Sequence, residues 1–173
     1  MAHKKGEGSV KNGRDSETLK LYLDIEKMRF EERLRAYFDI DPQIGNALVP
    51  SLLLQPLVEN AIKYAVTPKE DGADISVSAQ LVGQKLRIVV SDTGPGLNPQ
   101  LQSNVQSTGV GMANTRERLL QAYGDDQRFE HRVNPKGGFE VLIEMPYQTK
   151  KQSVELKSTG NIMGAQTQGL VTA

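Results

Sequence analysis

Residues that favour helices carry apolar positions at a period near 3.6 in three stretches of the chain, and each stretch predicts an α-helix. The first begins at Ser16, a suitable N-cap, and ends near Arg33. Its apolar anchors are Leu19, Tyr22, Leu23 and Met28. The second covers about residues 50 to 66, and the third covers residues 109 to 123 and is entered through glycines. Pro56 is expected to kink the second helix or loosen its first turns, because proline removes a backbone hydrogen bond.

Alternation of bulky and polar residues predicts a half-buried strand in LRAYFDID, and four further segments outside the helices are also predicted as strands. The strand segments are LRAYFDID, ISVSAQLV, KLRIVVSD, RFEHRV and GGFEVLIEMPY. Gly83-Gln84 and residues 134 to 138 supply turns for two hairpins, and residues 93 to 108 read as a loop. This order predicts an α+β, two-layer sandwich with a mixed, mostly antiparallel sheet and helices on one face.

Both ends of the chain are poor in apolar residues, which predicts a disordered leader over residues 1 to 16 and a flexible tail over residues 148 to 173. The length of 173 residues allows one domain, which we place at residues 17 to 147. No apolar run approaches the roughly 20 residues that span a bilayer. We therefore expect a soluble, cytoplasmic domain. If its parent is a membrane receptor, the segment that anchors it at the inner membrane lies outside this chain.

Composition excludes several classes of function. Lys plus Arg and Asp plus Glu both number 21, so no global field draws the chain to nucleic acid. The absence of cysteine excludes thiol catalysis and thiolate zinc sites. With only His3 and His131, histidine metal clusters and a Ser/His/Asp triad have almost nothing to be built from.

Three segments carry candidate chemistry, although each also has an ordinary structural interpretation. DTGPG, Asp92 to Gly96, follows an apolar strand and could be a simple turn. Alternatively, Asp92 accepts a hydrogen bond from the amino group of adenine, while Gly94 and Gly96 let the backbone approach the nucleotide. GVG, Gly109 to Gly111, could be a flexible helix start, or it could hold phosphate with free amide groups at a helix N-terminus.

The third segment is ENAIKY, Glu59 to Tyr64, which could be an ordinary amphipathic helix with solvated polar residues. Helical spacing places Asn60, Lys63 and Tyr64 within one turn of each other, so they can meet one ligand. Asn60 offers an oxygen to Mg2+, Lys63 a charge to a phosphate, and Tyr64 a ring to the base or ribose. Because Asn alone is a poor magnesium site, the ion would arrive with the nucleotide phosphates.

In this order and at these spacings, the three segments resemble the N, G1 and G2 boxes of the GHKL superfamily, which includes gyrase-type ATPases, MutL-like proteins and histidine kinases. LKLYLDIEKMRF, VPSLLLQPLVENAIKYAV and STGVGMANTRERL further resemble the LytS-type sensor histidine kinases. The resemblance extends from about Leu19 to Tyr147 and implies the Bergerat ATP-binding fold, with ATP and Mg2+ as cofactors.

The resemblance also implies roles for individual residues. The implied ATP-binding positions are Asn60, Lys63, Tyr64, Asp92, Gly94, Gly96, Gly109, Val110, Gly111 and Met112. Asn60 is the implied magnesium ligand, and Glu59 is its acidic neighbour, a possible support for magnesium-bound water. Residues 97 to 108 match a short ATP lid, which we expect to be mobile without ligand. Arg116 and Arg118 follow the lid, and we favour structural or surface roles over phosphate contacts for both.

Family members carry a phosphoacceptor histidine on a dimerising helix before the ATP domain, and this chain has no matching residue. His3 lies in a polar leader and His131 in a strand, so both read as structural or solvated histidines. The resemblance implies a homodimeric parent kinase whose histidine-bearing dimerisation helix receives the phosphate, and a response regulator downstream. Two alternatives stay open: a stand-alone GHKL ATPase or anti-sigma type serine kinase, and a non-catalytic interaction module switched by ATP.

Pro56 bears on the choice between these alternatives. Hydrolytic relatives place a carboxylate one helical turn before the magnesium Asn, where it can act as a general base. Here that position is Pro56, and Glu59 lies about 100 degrees around the helix from Asn60. We therefore expect ATP binding without rapid hydrolysis.

Overall fold

The computed structural model describes residues 9–96, 106–134 and 137–149. The helices are α1 (Asn12–Phe30), α2 (Gln55–Ala61) and α3 (Gln106–Tyr123), with short 3-10 helices at Glu31–Arg33 and Pro42–Ile44 and a π-helix at Ile62–Val66 that continues α2. The strands are β1 (Ser9–Lys11), β2 (Leu34–Ile40), β3 (Leu48–Pro50), β4 (Ala73–Val82), β5 (Lys85–Asp92), β6 (Arg128–Val133) and β7 (Phe139–Pro146). Among the residues so described, no helix is both long and apolar enough to cross a bilayer.

Five strands form the main sheet in the order β2-β4-β5-β7-β6. Only β2 and β4 run parallel, and the three remaining pairs are antiparallel. The predicted hairpin of β4 and β5 is confirmed, with Val82 paired to Lys85 across the Gly83 turn. The predicted pair β6 and β7 is confirmed as well.

One face of this sheet is buried because alternate residues of neighbouring strands stay in register. Ala79 pairs with Ile88, which pairs in turn with Ile143, and all three are buried. The helices contribute Leu19, Leu23, Leu57, Val58 and Leu119 to the same core. The predicted α+β sandwich of a mixed sheet with helices on one face is therefore confirmed.

The start of the chain differs from the sequence prediction. Ser16 is not an N-cap, because α1 begins at Asn12 and Ser16 lies inside it. Part of the predicted leader lies in described elements, since Ser9–Lys11 pairs with Leu48–Pro50 and leads directly into α1. The disorder of the leader stays a prediction. Met28, a predicted core anchor, is 85% exposed, whereas Leu19 and Leu23 are buried.

Both later helices begin at positions other than those predicted. α2 begins at Gln55 because residues 48 to 50 are held in the β1–β3 pair. Pro56 thus lies in the first turn, where its missing N–H has no helical partner to lose, so α2 has no kink there. The non-helical residues 51 to 54 agree with the alternative prediction that the first turns are loosened. α3 begins at Gln106, so Gly109 and Gly111 lie inside it and not at its entrance.

The predicted tail is also ordered at its beginning. The Leu48 amide donates to the carbonyl of Gln148 over 2.8 Å, and Ala47 forms a bridge with Thr149. Residues 1–8 and 150–173 lie outside the described residues, as does most of the predicted lid, residues 97 to 105.

Candidate functional site

Asp92 is the buried carboxylate of the candidate site. It ends β5 at the buried face and is only 8% exposed. Its Oδ1 accepts hydrogen bonds from the amides of Gly94, at 2.9 Å, and Phe139, at 3.2 Å. Burial raises the pKa of Asp92 above its usual value, and these two hydrogen bonds oppose that rise. The carboxylate is thus fixed through Oδ1 to the loop after β5 and to the start of β7.

The loop after Asp92 is held close to the helical layer by glycine. A Cβ atom on Gly94 would lie 2.4 Å from the Cβ of Ala65, far inside van der Waals contact. On the other side of the loop, the Thr93 amide donates to the Asp74 carbonyl, and the Asp74 amide donates back to Thr93 Oγ1. The DTGPG loop is therefore anchored to both β4 and the π-helix.

The turn between β6 and β7 completes the support of Asp92, a contribution that sequence reasoning missed. Gly138 has a φ of +99°, and a Cβ there would lie 1.9 Å from the Asp92 carbonyl oxygen. Gly137 lies against the carbonyl of Gly94. In the sequence, the two adjacent glycines before β7 indicate a tight turn. Only the pairing of β5 with β7 shows that this turn lies against Asp92.

Asn60 lies on α2 and faces α3. Its Nδ2 is buried, and among the described residues no hydrogen-bond partner reaches it. A Cβ on Gly111 would lie 3.5 Å from this nitrogen and 3.6 Å from the Cβ of Pro56. Pro56 and Asn60 therefore share the face of α2 next to α3, as their spacing predicts. A buried amide without a partner is costly, which marks this position as one suited to a polar ligand.

Lys63 and Tyr64 lie in the π-helix, which was not predicted. The Thr67 amide donates to the Ile62 carbonyl at 3.0 Å, five residues back, and this widens the turn that carries both side chains. The Lys63 Nζ stands 5.0 Å from the centre of the Tyr64 ring. Insertions of this kind occur frequently at functional sites. The wider turn changes the directions of Lys63 and Tyr64 relative to Asn60 from those of a regular α-helix.

Glu59 points away from Asn60. It is exposed, and its Oε1 accepts a hydrogen bond from Gln55 Nε2 at 2.8 Å. Burial raises the pKa of Tyr22 on α1, and the charges of Glu26 and Glu59 raise it further. The printed contact of Glu59 is thus with its own helix, and among the described residues no contact supports its suggested role at magnesium-bound water.

The first turns of α3 are built differently from the expected helix entrance. Val110 is 60% exposed, whereas Gly111 is half-buried and Met112 packs against the core. Thr115, almost fully buried, donates from Oγ1 to the Gly111 carbonyl at 3.0 Å. A phosphate cradle at Gly111 would therefore use the absence of a side chain, and not a free amide at the helix start.

The remaining candidates have separate locations. Arg118 donates from Nη1 to the Ser51 carbonyl at 2.7 Å, which favours its structural interpretation, and Arg116 is exposed. His131 is exposed, with its ring 5.6 Å from that of Phe139. His3 lies outside the described residues.

The helix that runs from α2 into the π-helix brings the predicted segments together. Its Asn60 lies against Gly111 of α3, and its Ala65 lies against Gly94 of the DTGPG loop. Residues from all three segments therefore border one another along one helix. Among the described residues, no group of three or more His, Cys, Asp or Glu is arranged to hold a metal ion.

The sequence model of a family described as histidine kinase-, DNA gyrase B- and HSP90-like ATPase matches residues 45–149. The chain belongs to this family. The match covers α2, the π-helix, α3 and β4 to β7, and its range includes every implied ATP-binding position from Asn60 to Met112. Membership in this ATPase family agrees with the resemblance expected from the N, G1 and G2 segments.

Curated relatives in this ATPase family include sensor histidine kinases. YesM of Bacillus subtilis strain 168 is 33% identical over 132 residues, covering 76% of this chain and 23% of YesM. The sensor histidine kinase/phosphatase LytS of Staphylococcus aureus is 29% identical over 143 residues, covering 78% of this chain and 24% of LytS. The expected LytS-type likeness is thereby confirmed. The chain spans about a quarter of the length of these two relatives.

A solved structure supports the fold independently of close sequence identity. The catalytic domain of the histidine kinase ThkA superposes with a TM-score of 0.61 at 16% identity, covering 80% of this chain and 94% of that domain. At this identity the likeness concerns the fold alone. It shows that the five-stranded sheet with its helical layer is that of histidine kinase catalytic domains.

Proposed function

We propose that the chain binds ATP with Mg2+ and passes the γ-phosphoryl group to a histidine on a dimerisation helix outside this chain. The observation that carries the proposal is the buried Asp92, whose Oδ1 is engaged by the amides of Gly94 and Phe139. Its Oδ2 can then accept from an exocyclic amino group of a base. A buried carboxylate fixed in this way has a high cost unless a donor completes its hydrogen bonding.

The fit of ATP is supported at two further points. The unpartnered, buried Asn60 amide lies beside Gly111, where a Cβ would stand 3.5 Å from its nitrogen, and a nucleotide phosphate with its ion would supply the missing polar partner there. Asn60 would hold the ion through its side-chain oxygen, Lys63 would provide charge for a phosphate, and Tyr64 would offer a ring to the base or ribose. Bound Mg2+ supplies neutralisation of the phosphate charge.

Pro56 supports transfer to a separate acceptor over hydrolysis. It occupies the face of α2 shared with Asn60, one turn earlier, where a general base would have to stand. The only neighbouring carboxylate in sequence, Glu59, accepts a hydrogen bond from Gln55 of its own helix instead. In this proposal the chain positions the nucleotide, and the base comes from the element that carries the histidine.

The proposal extends to the whole protein. The parent is a homodimeric sensor kinase, anchored at the inner membrane, that serves a response regulator. The chain itself works on the cytoplasmic side. The alternative of a stand-alone ATPase or serine kinase requires a base near Asn60, and the described residues offer none on that face of α2.

Isothermal titration with Mg-ATP tests the assignment of the site. Asn60→Ala and Asp92→Ala should each weaken binding by about tenfold or more, because each removes a group that binds the ligand directly. The matched controls are Asn46→Ala and Asp125→Ala, at exposed positions of the same residue types. Equal affinity in all four variants and the unsubstituted chain would disprove the site.

A further inference from the structure

Arg33 ends the 3-10 helix after α1 and reaches across to the end of the π-helix. Its Nη2 lies 3.1 Å from the carbonyl oxygen of Val66, 3.2 Å from that of Thr67 and 3.0 Å from that of Lys69. The last carbonyls of a helix have no partner within the helix and carry its negative dipole end. One guanidinium group therefore donates to three carbonyls at and just after the end of the helix that carries Asn60, although those of Val66 and Lys69 also accept backbone amides.

The position of Arg33 is fixed by its surroundings. Its guanidinium stands 5.9 Å from the centre of the Phe30 ring, and its Nε is buried. Gly72, with a φ of +72°, passes so close that a Cβ there would lie 1.9 Å from the Arg33 carbonyl oxygen. The Arg33 backbone is thus packed closely against Gly72, while its Nε has no hydrogen-bond partner among the described residues and the contact with the helix end is made by Nη2.

The helix end that Arg33 holds is also the part of the helix nearest the DTGPG loop. Ala65 lies one residue before Val66 and is the residue that Gly94 touches. The Lys69 Nζ also lies 3.4 Å from the Thr93 carbonyl oxygen, so the segment after the helix meets the same loop. A shift of the helix end would therefore move Ala65 and Tyr64 relative to Asp92.

We propose that Arg33 is a positioning residue for nucleotide binding, which sets the place of the π-helix against the Asp92 loop through the carbonyls of Val66, Thr67 and Lys69. This inference rests on the proposed function, because it assigns Arg33 a role at that same site. Arg33 touches no nucleotide itself. It acts through the direction of Tyr64 and the contact of Ala65 with Gly94.

Three variants separate this role from general stabilisation. Arg33→Met keeps the apolar stem but removes the donors, Arg33→Lys keeps a charge and donors on a shorter stem, and Arg29→Met serves as the control. Arg29 stands 5.3 Å from the same Phe30 ring but is largely exposed, and its ion pair is with Glu26 of its own helix. Each variant is measured for its melting temperature, its affinity for Mg-ATP well below that temperature, and its amide hydrogen exchange.

For Arg33→Met we expect affinity for Mg-ATP to fall about tenfold, as for the loss of charged hydrogen bonds, with faster exchange at residues 62 to 72. Arg33→Lys should recover affinity to within about threefold of the unsubstituted chain, because an ammonium group can still donate to the carbonyls. Arg29→Met should leave both quantities unchanged. A merely stabilising role would lower the melting temperature without changing affinity in the folded state.

The inference is overturned if Arg33→Met folds and binds Mg-ATP as tightly as the Arg29→Met control. If Arg33→Met does not fold, Arg33→Gln decides, because its shorter neutral side chain cannot reach the three carbonyls: affinity for Mg-ATP and exchange at residues 62 to 72 equal to those of the Arg29→Met control would overturn the inference. Failure of the unsubstituted chain to bind Mg-ATP would instead reject the proposed function. In that case the exchange of residues 62 to 72 in the Arg33 variants still shows whether the side chain holds the helix end.

Discussion

Gly94 lies so close to Ala65 that a Cβ atom on the glycine would stand 2.4 Å from the alanine Cβ and 2.5 Å from its Cα. The contact joins the loop after β5 to the π-helix that follows α2. Both partners are buried, and no flexible side chain can move aside to relieve an added atom. The relative position of Asp92 and the helix that carries Asn60 therefore depends on the small size of both residues.

Gly94→Ala should displace this loop and destabilise the domain by about 1–3 kcal/mol, the usual range for overpacking a filled site. It should also weaken Mg-ATP binding, because Asp92 moves away from the helix. Thermal unfolding and calorimetric titration measure the two effects. Gly45→Ala is the control, since its Cβ would meet only the Pro42 carbonyl at 3.5 Å. Equal stability and affinity in the two variants would contradict the packing described.

Asp92→Asn should preserve the fold and lose the nucleotide. The Asn oxygen can still accept from the amides of Gly94 and Phe139, which turns the Nδ2 donor toward the amino group of the base. Because two donors would then face each other, Mg-ATP binding should weaken by about 10- to 100-fold. Calorimetric titration at a pH of about 7.5 measures this loss. Binding within twofold of the unsubstituted chain would exclude Asp92 from base recognition.

The raised pKa of Asp92 predicts a defined pH dependence. Because the pKa in the folded state exceeds the ordinary value of 3.8, the folded state holds the proton more tightly than the unfolded state. The contribution of Asp92 to stability is therefore present at low pH and is lost as pH rises through the folded pKa. The stability of Asp92→Asn relative to the unsubstituted chain should increase over this same rise in pH.

Nucleotide binding should follow the opposite direction with pH. Mg-ATP affinity should fall as acidification protonates Asp92, and the fall should begin at a higher pH than for an ordinary Asp carboxyl. Chemical denaturation and titration over a pH series measure the stability and the affinity. A stability difference that is flat with pH, or affinity that holds down to pH 3.8, would contradict this account of Asp92.

Much of the fold follows from residue pattern, because β4, β5 and β7 alternate buried and less buried residues along their lengths. Patterns of this kind carry information about burial but not about pairing partners. The polar Ser9–Lys11 segment forms a strand because Leu48–Pro50 pairs with it, and no feature of the local sequence predicts that contact. The same pairing delays the start of α2 and changes Pro56 from an interior residue into a first-turn residue.

The sequence names the candidate residues, and the structure adds their arrangement. Asp92, Asn60, Gly94 and Gly111 all lie where the three segments meet. The support from Gly138 and the Phe139 amide depends on β5 pairing with β7, which is a long-range property. The π-helix at Lys63 and Tyr64 has no sequence pattern of its own, since it is stabilised by what surrounds the helix end, including Arg33.

Gly111→Ala should raise the stability of the domain and weaken its binding of Mg-ATP. A Cβ there would make only ordinary contacts with Asn60 and Pro56, and alanine is favoured over glycine in a helix interior by about 1 kcal/mol. The variant should melt at a higher temperature yet bind Mg-ATP more weakly, because the added methyl group occupies the space beside Asn60. Asn114→Ala, an exposed position of the same helix, should gain stability without changing affinity. Tighter binding of Mg-ATP by Gly111→Ala would show that the ligand does not occupy the space beside Asn60.

Pro56→Glu should create hydrolytic activity, since it places a carboxylate on the face of α2 shared with Asn60. We expect phosphate release to rise by about tenfold or more, at the low end of general-base effects. Gln55→Glu is the matched control, because Gln55 lies on the side of Glu59. A phosphate-release assay compares the two, and equal rates would show that the residue at position 56 does not decide between hydrolysis and transfer.

The central claim is that this chain positions ATP for transfer to a histidine that it does not itself carry in the required place. The most direct test incubates it with Mg-ATP labelled at the γ-phosphate and the histidine-bearing helix of the parent protein, supplied as a separate chain. The label should appear on the added helix as acid-labile phosphohistidine, should be absent when its histidine is replaced, and should be lost with Asp92→Ala. Rapid release of free phosphate without the helix, with no label on the histidine, would contradict the claim.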